Sequence, residues 1–157
     1  MLFAAAMPAA GARKARLRVA LASLALGVAG AGEWARAQQI VAAKAGYYSV
    51  AVAVGGGFEG WGSDEEGRST GAPPGKTWAQ LSAFAYHTCG VTTSGEGRCW
   101  GRDTYNQVSG LPAGKTWAQL SAGRSHTCGV TTSGEGRCWG DDFYNEVSGL
   151  PAGKAWV

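Results

Sequence analysis

Several things are scarce in this sequence, and each scarcity removes a class of protein. Beyond residue 37 no stretch has helical periodicity, so helical bundles and doubly wound folds are excluded. The net charge is only +3, and the densest basic cluster, Arg13, Lys14, Arg16 and Arg18, stands near the N-terminus. No basic stripe marks the rest, so no nucleic-acid partner is expected. The apolar run "VALASLALGVAGAG" has 14 residues, short of the roughly 20 that span a bilayer, and predicts no stable membrane span. The four cysteines lack both the Cys-x-x-Cys spacing of redox sites and the paired short spacings of structural zinc. The glycine-rich "VGGGFEG" is followed by neither Lys nor a helix, so it is no phosphate loop. Asp103, Asp141 and Asp142 stand near an Asn but lack the alternating oxygen ligands of a calcium loop, and read as solvated turns. Only two histidines occur, His87 and His126, at equivalent places in a repeat. They read as structural residues bonding to backbone at a strand entry. No serine, histidine and acid arrangement stands out. The expectation is a protein that is not an enzyme and has no catalytic residue, cofactor or metal site.

Residues 1–32 also lack any acidic side chain. Four basic residues precede the apolar run, and "ARA" at residues 35–37 offers a small-x-small cleavage pattern before Gln38. Residues 1–37 therefore read as a signal or targeting segment, which predicts export to the periplasm, cell surface or exterior. An organellar transit segment, Arg-rich and acid-poor, is the alternative, and a buried N-terminal helix is a third reading.

What the chain does have is repetition. Residues 75–113 and 114–152 align without a gap and differ at six of 39 positions. Trp61, Trp100 and Trp139 form one series of period 39, and Trp78, Trp117 and Trp156 another. A divergent copy occupies residues 38–74, and residues 153–157 begin a further one. Within one copy, "TWAQLSA", "HTCGVTT" and "EGRCWG" read as strands, "GRS" and "TSGE" as turns, and "EVSGL" as a short fourth strand. Gly134 stands where a three-residue hairpin loop wants a left-handed residue. A three- or four-stranded unit repeated about every 40 residues predicts an all-β fold, an incomplete β-propeller of about three antiparallel blades. The tryptophans are expected to fill the gaps between blades.

The segment "QLSAGRSHTCGVTTSGEGRCWG", followed by a polar loop and "LP", resembles the regulator of chromosome condensation repeat in its cysteine-containing variant. Ala122, Gly123, His126, Gly134, Trp139 and Gly140 carry the likeness. So do Ala83, His87, Gly95, Trp100 and Gly101 one copy earlier, where Phe84 replaces the glycine. The resemblance covers about 120 residues. It implies a β-propeller, commonly of about seven blades, so this chain would supply part of a ring. It fixes no function. Family members include nucleotide-exchange factors and enzyme inhibitors, so exchange on a small GTPase and inhibition of an envelope enzyme stand as alternatives to an exported scaffold that binds a protein partner.

If residues 93–95 form the hairpin loop, Thr92 faces Glu96, and counting outward sets Cys89 opposite Cys99. Cys128 and Cys138 follow suit. Opposed residues lie within disulfide range. The divergent copy has Val50 or Ala51 at the first cysteine position and Gly60 at the second, so both cysteines are missing together. Disulfides Cys89–Cys99 and Cys128–Cys138 are expected in an exported chain, and free buried cysteines in a cytosolic one.

The six differences are Phe84, Ala85 and Tyr86 against Gly123, Arg124 and Ser125, and Arg102, Thr104 and Gln107 against Asp141, Phe143 and Glu146. Chain direction reverses at every turn of an up-and-down blade, so both loops emerge on one rim. Aromatic residues and Arg are enriched at interfaces. Phe84, Tyr86, Arg102, Tyr105, Arg124, Phe143 and Tyr144 are therefore the candidate binding residues. Open blade edges also predict self-association.

Overall fold

The computed structural model describes the backbone of residues 39–42 and all of residues 47–156. Three successive three-stranded antiparallel sheets account for its strands. β1 (Gln39–Ala42), β2 (Tyr48–Val52) and β3 (Phe58–Gly62) form the first. β4 (Trp78–Phe84), β5 (His87–Thr92) and β6 (Gly97–Gly101) form the second, and β7 (Trp117–Ala122), β8 (His126–Thr131) and β9 (Gly136–Gly140) the third. The sheets fall in one of two units of the chain, Gly32–Val157. The targeting reading of residues 1–37 lies outside the described residues.

Each hairpin closes as its turn residues dictate. Thr92 N–H donates to the Glu96 carbonyl at 2.9 Å, and Gly95 and Gly134 both adopt φ 82°. That register places Cys89 opposite Cys99 and Cys128 opposite Cys138. Both pairs are disulfide-bonded, with Cα atoms 4.0 and 4.1 Å apart. In the first sheet Val50 pairs with Gly60, which settles the alignment of the divergent copy.

The fourth strand expected at "EVSGL" does not form. The Val147 and Ser148 N–H groups donate to Asp142 Oδ1 at 2.8 and 2.9 Å, and Gly149 N–H to the Asn145 carbonyl at 3.0 Å. A carboxylate that caps two consecutive amides holds the segment as a turn, because those amides have no need of a sheet partner. Asp64 and Asp103 cap the equivalent loops in the same way.

The core lies between the sheets. Tyr48, Val50 and Val52 of the first blade meet Trp78, Leu81, Ala83 and Trp100 of the second. Cys89 and Val91 of the second meet Trp117, Leu120 and Trp139 of the third. Each blade thus has a leading side toward its predecessor and a rear side toward its successor. Trp78, Trp100, Trp117 and Trp139 fill these gaps as expected; Trp156 lies on Gly136 of the third blade, and Trp61, 51% exposed, sits on the leading side of the first blade, where no other described sheet packs.

Polar contacts fix each junction. β7 is an edge strand of its own sheet, so its outward backbone groups need partners. Gln80 supplies both from the preceding blade. Its Nε2 donates to the Leu120 carbonyl at 2.8 Å, and its Oε1 accepts from Leu120 N–H at 3.1 Å. Ser82 Oγ accepts from Ala122 N–H at 2.9 Å. A tryptophan N–H also reaches back to the hairpin glycine of the previous blade, Trp78 to Gly56 and Trp117 to Gly95, both at 2.8 Å. The Trp117 ring then lies flush on Gly97, where a Cβ would stand 2.6 Å from its Cδ1. Only glycine leaves room there.

Candidate functional site

Two loops of each blade come together because a backbone bond joins them. Arg102 N–H donates to the Tyr86 carbonyl, and Asp141 N–H to the Ser125 carbonyl, each at 2.9 Å. The turn before β5 and the loop after β6 therefore share one rim, as the alternation of chain direction requires. Between the second and third blades this rim holds a cleft of about 350 Å³, lined by Tyr86, Arg102, Tyr105, Arg124, Ser125, His126, Asp141, Tyr144 and Glu146.

The cleft brings together Tyr86, Arg102, Tyr105, Arg124 and Tyr144 of the expected residues. Phe143 stands at its edge, 78% exposed, packed edge-on against Tyr144 with centroids 4.8 Å apart. Phe84 does not line it; as the last residue of β4 it is half-buried and paired with His87. Sequence reasoning overlooked Ser125, His126, Asp141 and Glu146. For three of these the signal was available, since they stand at positions where the two copies differ.

The wall from the second blade is preset. Arg102 Nε donates to Glu66 Oε1 at 2.9 Å, and its guanidinium lies 4.6 Å from the Tyr86 ring centroid. Across the cleft Arg124 is exposed and has no ion pair among the described residues. Glu146 Oε2 accepts from Tyr144 N–H at 2.7 Å. Exposed tyrosines with charges of both signs suit a polypeptide surface with apolar and polar groups interleaved.

Gln107, counted among the variable rim positions, is instead fully buried. Its Oε1 accepts from Tyr105 N–H at 2.8 Å, and its carbonyl accepts from Thr127 Oγ1 at 2.9 Å and Trp139 Nε1 at 3.0 Å. It is a peg between blades. His87 also works across a junction: its Nε2 lies 2.8 Å from Thr127 Oγ1 on the next blade, a side-chain partner where a backbone one was expected.

The opposite rim carries Lys76–Glu96 at 2.7 Å and Lys115–Glu135 at 2.8 Å. These pairs are the same in both copies. Among the described residues no group of three or more His, Cys, Asp or Glu side chains could hold a metal, and no helix is long and apolar enough to cross a membrane.

Comparison with known proteins follows the same division into blades. The family pattern described as Regulator of chromosome condensation (RCC1) repeat matches residues 79–107 and 117–146. The ectodomain of the Physcomitrella patens receptor kinase CR4 is 30% identical with a TM-score of 0.55, over 64% of this chain and 28% of that one. The CRINKLY WD40 ectodomain of the Arabidopsis thaliana receptor kinase ACR4 is 20% identical with a TM-score of 0.53, over 65% and 36%. Prp20p from Saccharomyces cerevisiae, described with its binding to Gsp1p and histones, is 15% identical with a TM-score of 0.55, over 65% and 32%. The latter two likenesses concern the fold alone. This chain spans roughly a third of the length of these structures. A comparison with curated protein sequences returns no match.

Proposed function

We propose, from the premise that this chain carries repeats of the regulator of chromosome condensation family, that it is an exported scaffold which binds a protein partner through the variable rim between its second and third blades, and that it is not an enzyme. One observation carries the reading. Of the six positions at which two otherwise identical copies differ, four supply residues that line the cleft, namely Tyr86, Arg102, Arg124, Ser125, Asp141 and Glu146, and Phe143 of a fifth pair flanks it. Duplicated blades have kept their packing and diverged where a ligand would touch. Export is supported by the acid-free N-terminal segment, by the two disulfides and by the likeness to receptor ectodomains.

The binding test starts from a partner recovered with the purified chain and identified. Tyr86→Ala and Arg124→Ala should each weaken that partner's affinity by about tenfold or more, as truncation of an aromatic or Arg anchor does. Ser94→Ala, in the turn that the two copies share, should leave it unchanged. Loss on Ser94→Ala with the other two silent would put the interface on the wrong rim. Export is checked separately by N-terminal sequencing of the mature protein, with Gln38 as the expected first residue.

A further inference from the structure

The rim between the first and second blades shows what these loops hold. Glu66 of the first blade and Arg102 of the second face each other there, with Arg102 Nε donating to Glu66 Oε1 at 2.9 Å. The Arg102 guanidinium also lies 4.6 Å from the centroid of the Tyr86 ring. An arginine is thus held between a carboxylate and the face of a tyrosine. Arg68, buried at the same junction, donates from Nη1 to the Ala85 carbonyl at 3.1 Å. Two guanidinium groups tie the first two blades together on this rim.

The rim between the second and third blades has the same backbone and different side chains. The period of 39 residues puts Tyr105 in the place of Glu66, Gln107 in that of Arg68 and Asp141 in that of Arg102. The equivalence is structural as well, since Thr88 Oγ1 donates to the Arg68 carbonyl as Thr127 Oγ1 does to that of Gln107. A tyrosine and a carboxylate therefore stand where the first junction has an ion pair, and both line the cleft of about 350 Å³. Tyr105 is half-exposed, and Asp141 has no ion pair among the described residues. Gln107 is too short to replace Arg68, and its Nε2 is buried without a partner among those residues. The two flanks that hold Arg102 recur here, a ring and a carboxylate, and neither brings a guanidinium. Charge points the same way. Arg102 is offset by Glu66, which leaves Arg124 in the cleft against Asp141 and Glu146. That balance is negative and favours a cation.

We propose that the partner places an arginine side chain in this cleft, its guanidinium between the Tyr105 ring and the Asp141 carboxylate, with an acidic neighbour that meets Arg124. The inference rests on the reading of this rim as the binding face and adds the chemistry that the face selects. Arginine is specified over lysine because a planar guanidinium lies flat on a ring and offers two N–H groups to one carboxylate. An arginine on an aromatic face with a charge-assisted hydrogen bond is the kind of anchor that dominates protein interfaces.

The test uses the purified chain and its amide NMR spectrum, with Nα-acetyl-arginine N-methylamide as the probe. The arginine probe should shift the Tyr105 and Asp141 amides saturably with a Kd of about 1–10 mM, as suits one charged side chain. The matching lysine probe should bind about threefold more weakly or worse, and the citrulline probe, of the same shape without the charge, should give no saturable shift. Asp141→Asn and Tyr105→Ala should each weaken the arginine probe by about fivefold or more. Arg124→Gln should tighten it about twofold by removing a like charge, although loss of Arg124 weakens the whole partner. Ser94→Ala should change nothing. None of these four side chains is buried, and the dispersion of the amide spectrum reports that each variant is folded. No saturable shift from the arginine probe at about 50 mM overturns the proposal. So does an equal response to citrulline or to lysine, or unchanged binding in Asp141→Asn. The identified partner separates the two readings. A partner weakened by Tyr86→Ala and indifferent to Asp141→Asn overturns the arginine site and leaves the rim as the binding face. A partner indifferent to both overturns the rim itself.

Discussion

His87 shows how a side chain can be set by a neighbour 40 residues away. The Thr127 hydroxyl gives its one proton to the Gln107 carbonyl, so it must accept from His87 Nε2–H. That leaves Nδ1 as a buried acceptor with no donor. Protonating it would place an unpaired charge in the core. Burial first, and the neighbouring His126 second, lower the His87 pKa from 6.5 to about 4, against the opposing pull of Asp103. With the folded value below the unfolded one, the unfolded chain binds more protons between the two. Stability is therefore full above about pH 6.5 and is lost as pH falls toward 4. The difference corresponds to an upper limit of ~3 kcal/mol. Urea unfolding of the wild type should weaken steadily from pH 7 to about 4.5, ahead of most carboxylate titration. His87→Gln, which can keep the bond to Thr127, should start less stable and show a flatter pH profile. Parallel profiles would mean that His87 does not govern acid sensitivity. Its equivalent place in the repeat suggested a structural histidine bonding to backbone. Its partner was hidden, because contacts between blades leave no periodic trace in a single strand.

Gln80 and Gln119 occupy the same place in the same strand of successive blades and differ only in what lies behind them. Gln80→Ala strips both backbone partners from Leu120 at a covered edge and should cost about 1–3 kcal/mol. Gln119→Ala, at an exposed position, should stay within about 0.5 kcal/mol for the single chain. Urea denaturation of the two variants at low protein concentration makes the comparison; equal costs would show that the side-chain bridge to β7 contributes nothing. Strands and their registers were legible because alternation, a three-residue loop and a glycine at its left-handed position fix a hairpin locally. The "EVSGL" segment was misread because its apolar alternation is real but weaker than the cap from Asp142. An Asp five residues before Val147, with Asn145 between, was the overlooked signal.

At the scale of the molecule, two separate apolar clusters mean two separate contributions to stability. Leu81 belongs to the first junction and Leu120 to the second, and both are essentially inaccessible to water. Each Leu→Ala change should cost about 2–5 kcal/mol. In a stack of blades that touch only their neighbours, the double variant should equal the sum within about 0.5 kcal/mol. A clear excess or shortfall in urea unfolding would mean that the junctions communicate through the shared middle blade. The candidate site was legible at this scale and less so at the residue scale. Comparing two copies pointed to the rim that holds the cleft, but strand pairing holds Phe84 away from the cleft and the next blade buries Gln107. Neither effect is visible without the neighbouring sheet.

The strands of the second and third blades are identical but for Phe84 at the end of β4, and every other difference between the copies lies in loops. β4 has the same chemical reason to pair with β8 as with β5, and Cys89 the same reason to bond Cys138 as Cys99. What separates the correct from the interchanged hairpin is the length of chain to be closed. Phe84 and His87 are joined by two residues, whereas Phe84 and His126 are separated by about 40, a difference of roughly 2–3 kcal/mol in closure entropy. Fidelity of folding in this chain therefore rests on proximity along the backbone and not on complementary side chains. Each disulfide, once made between near neighbours, turns that kinetic preference into a permanent record.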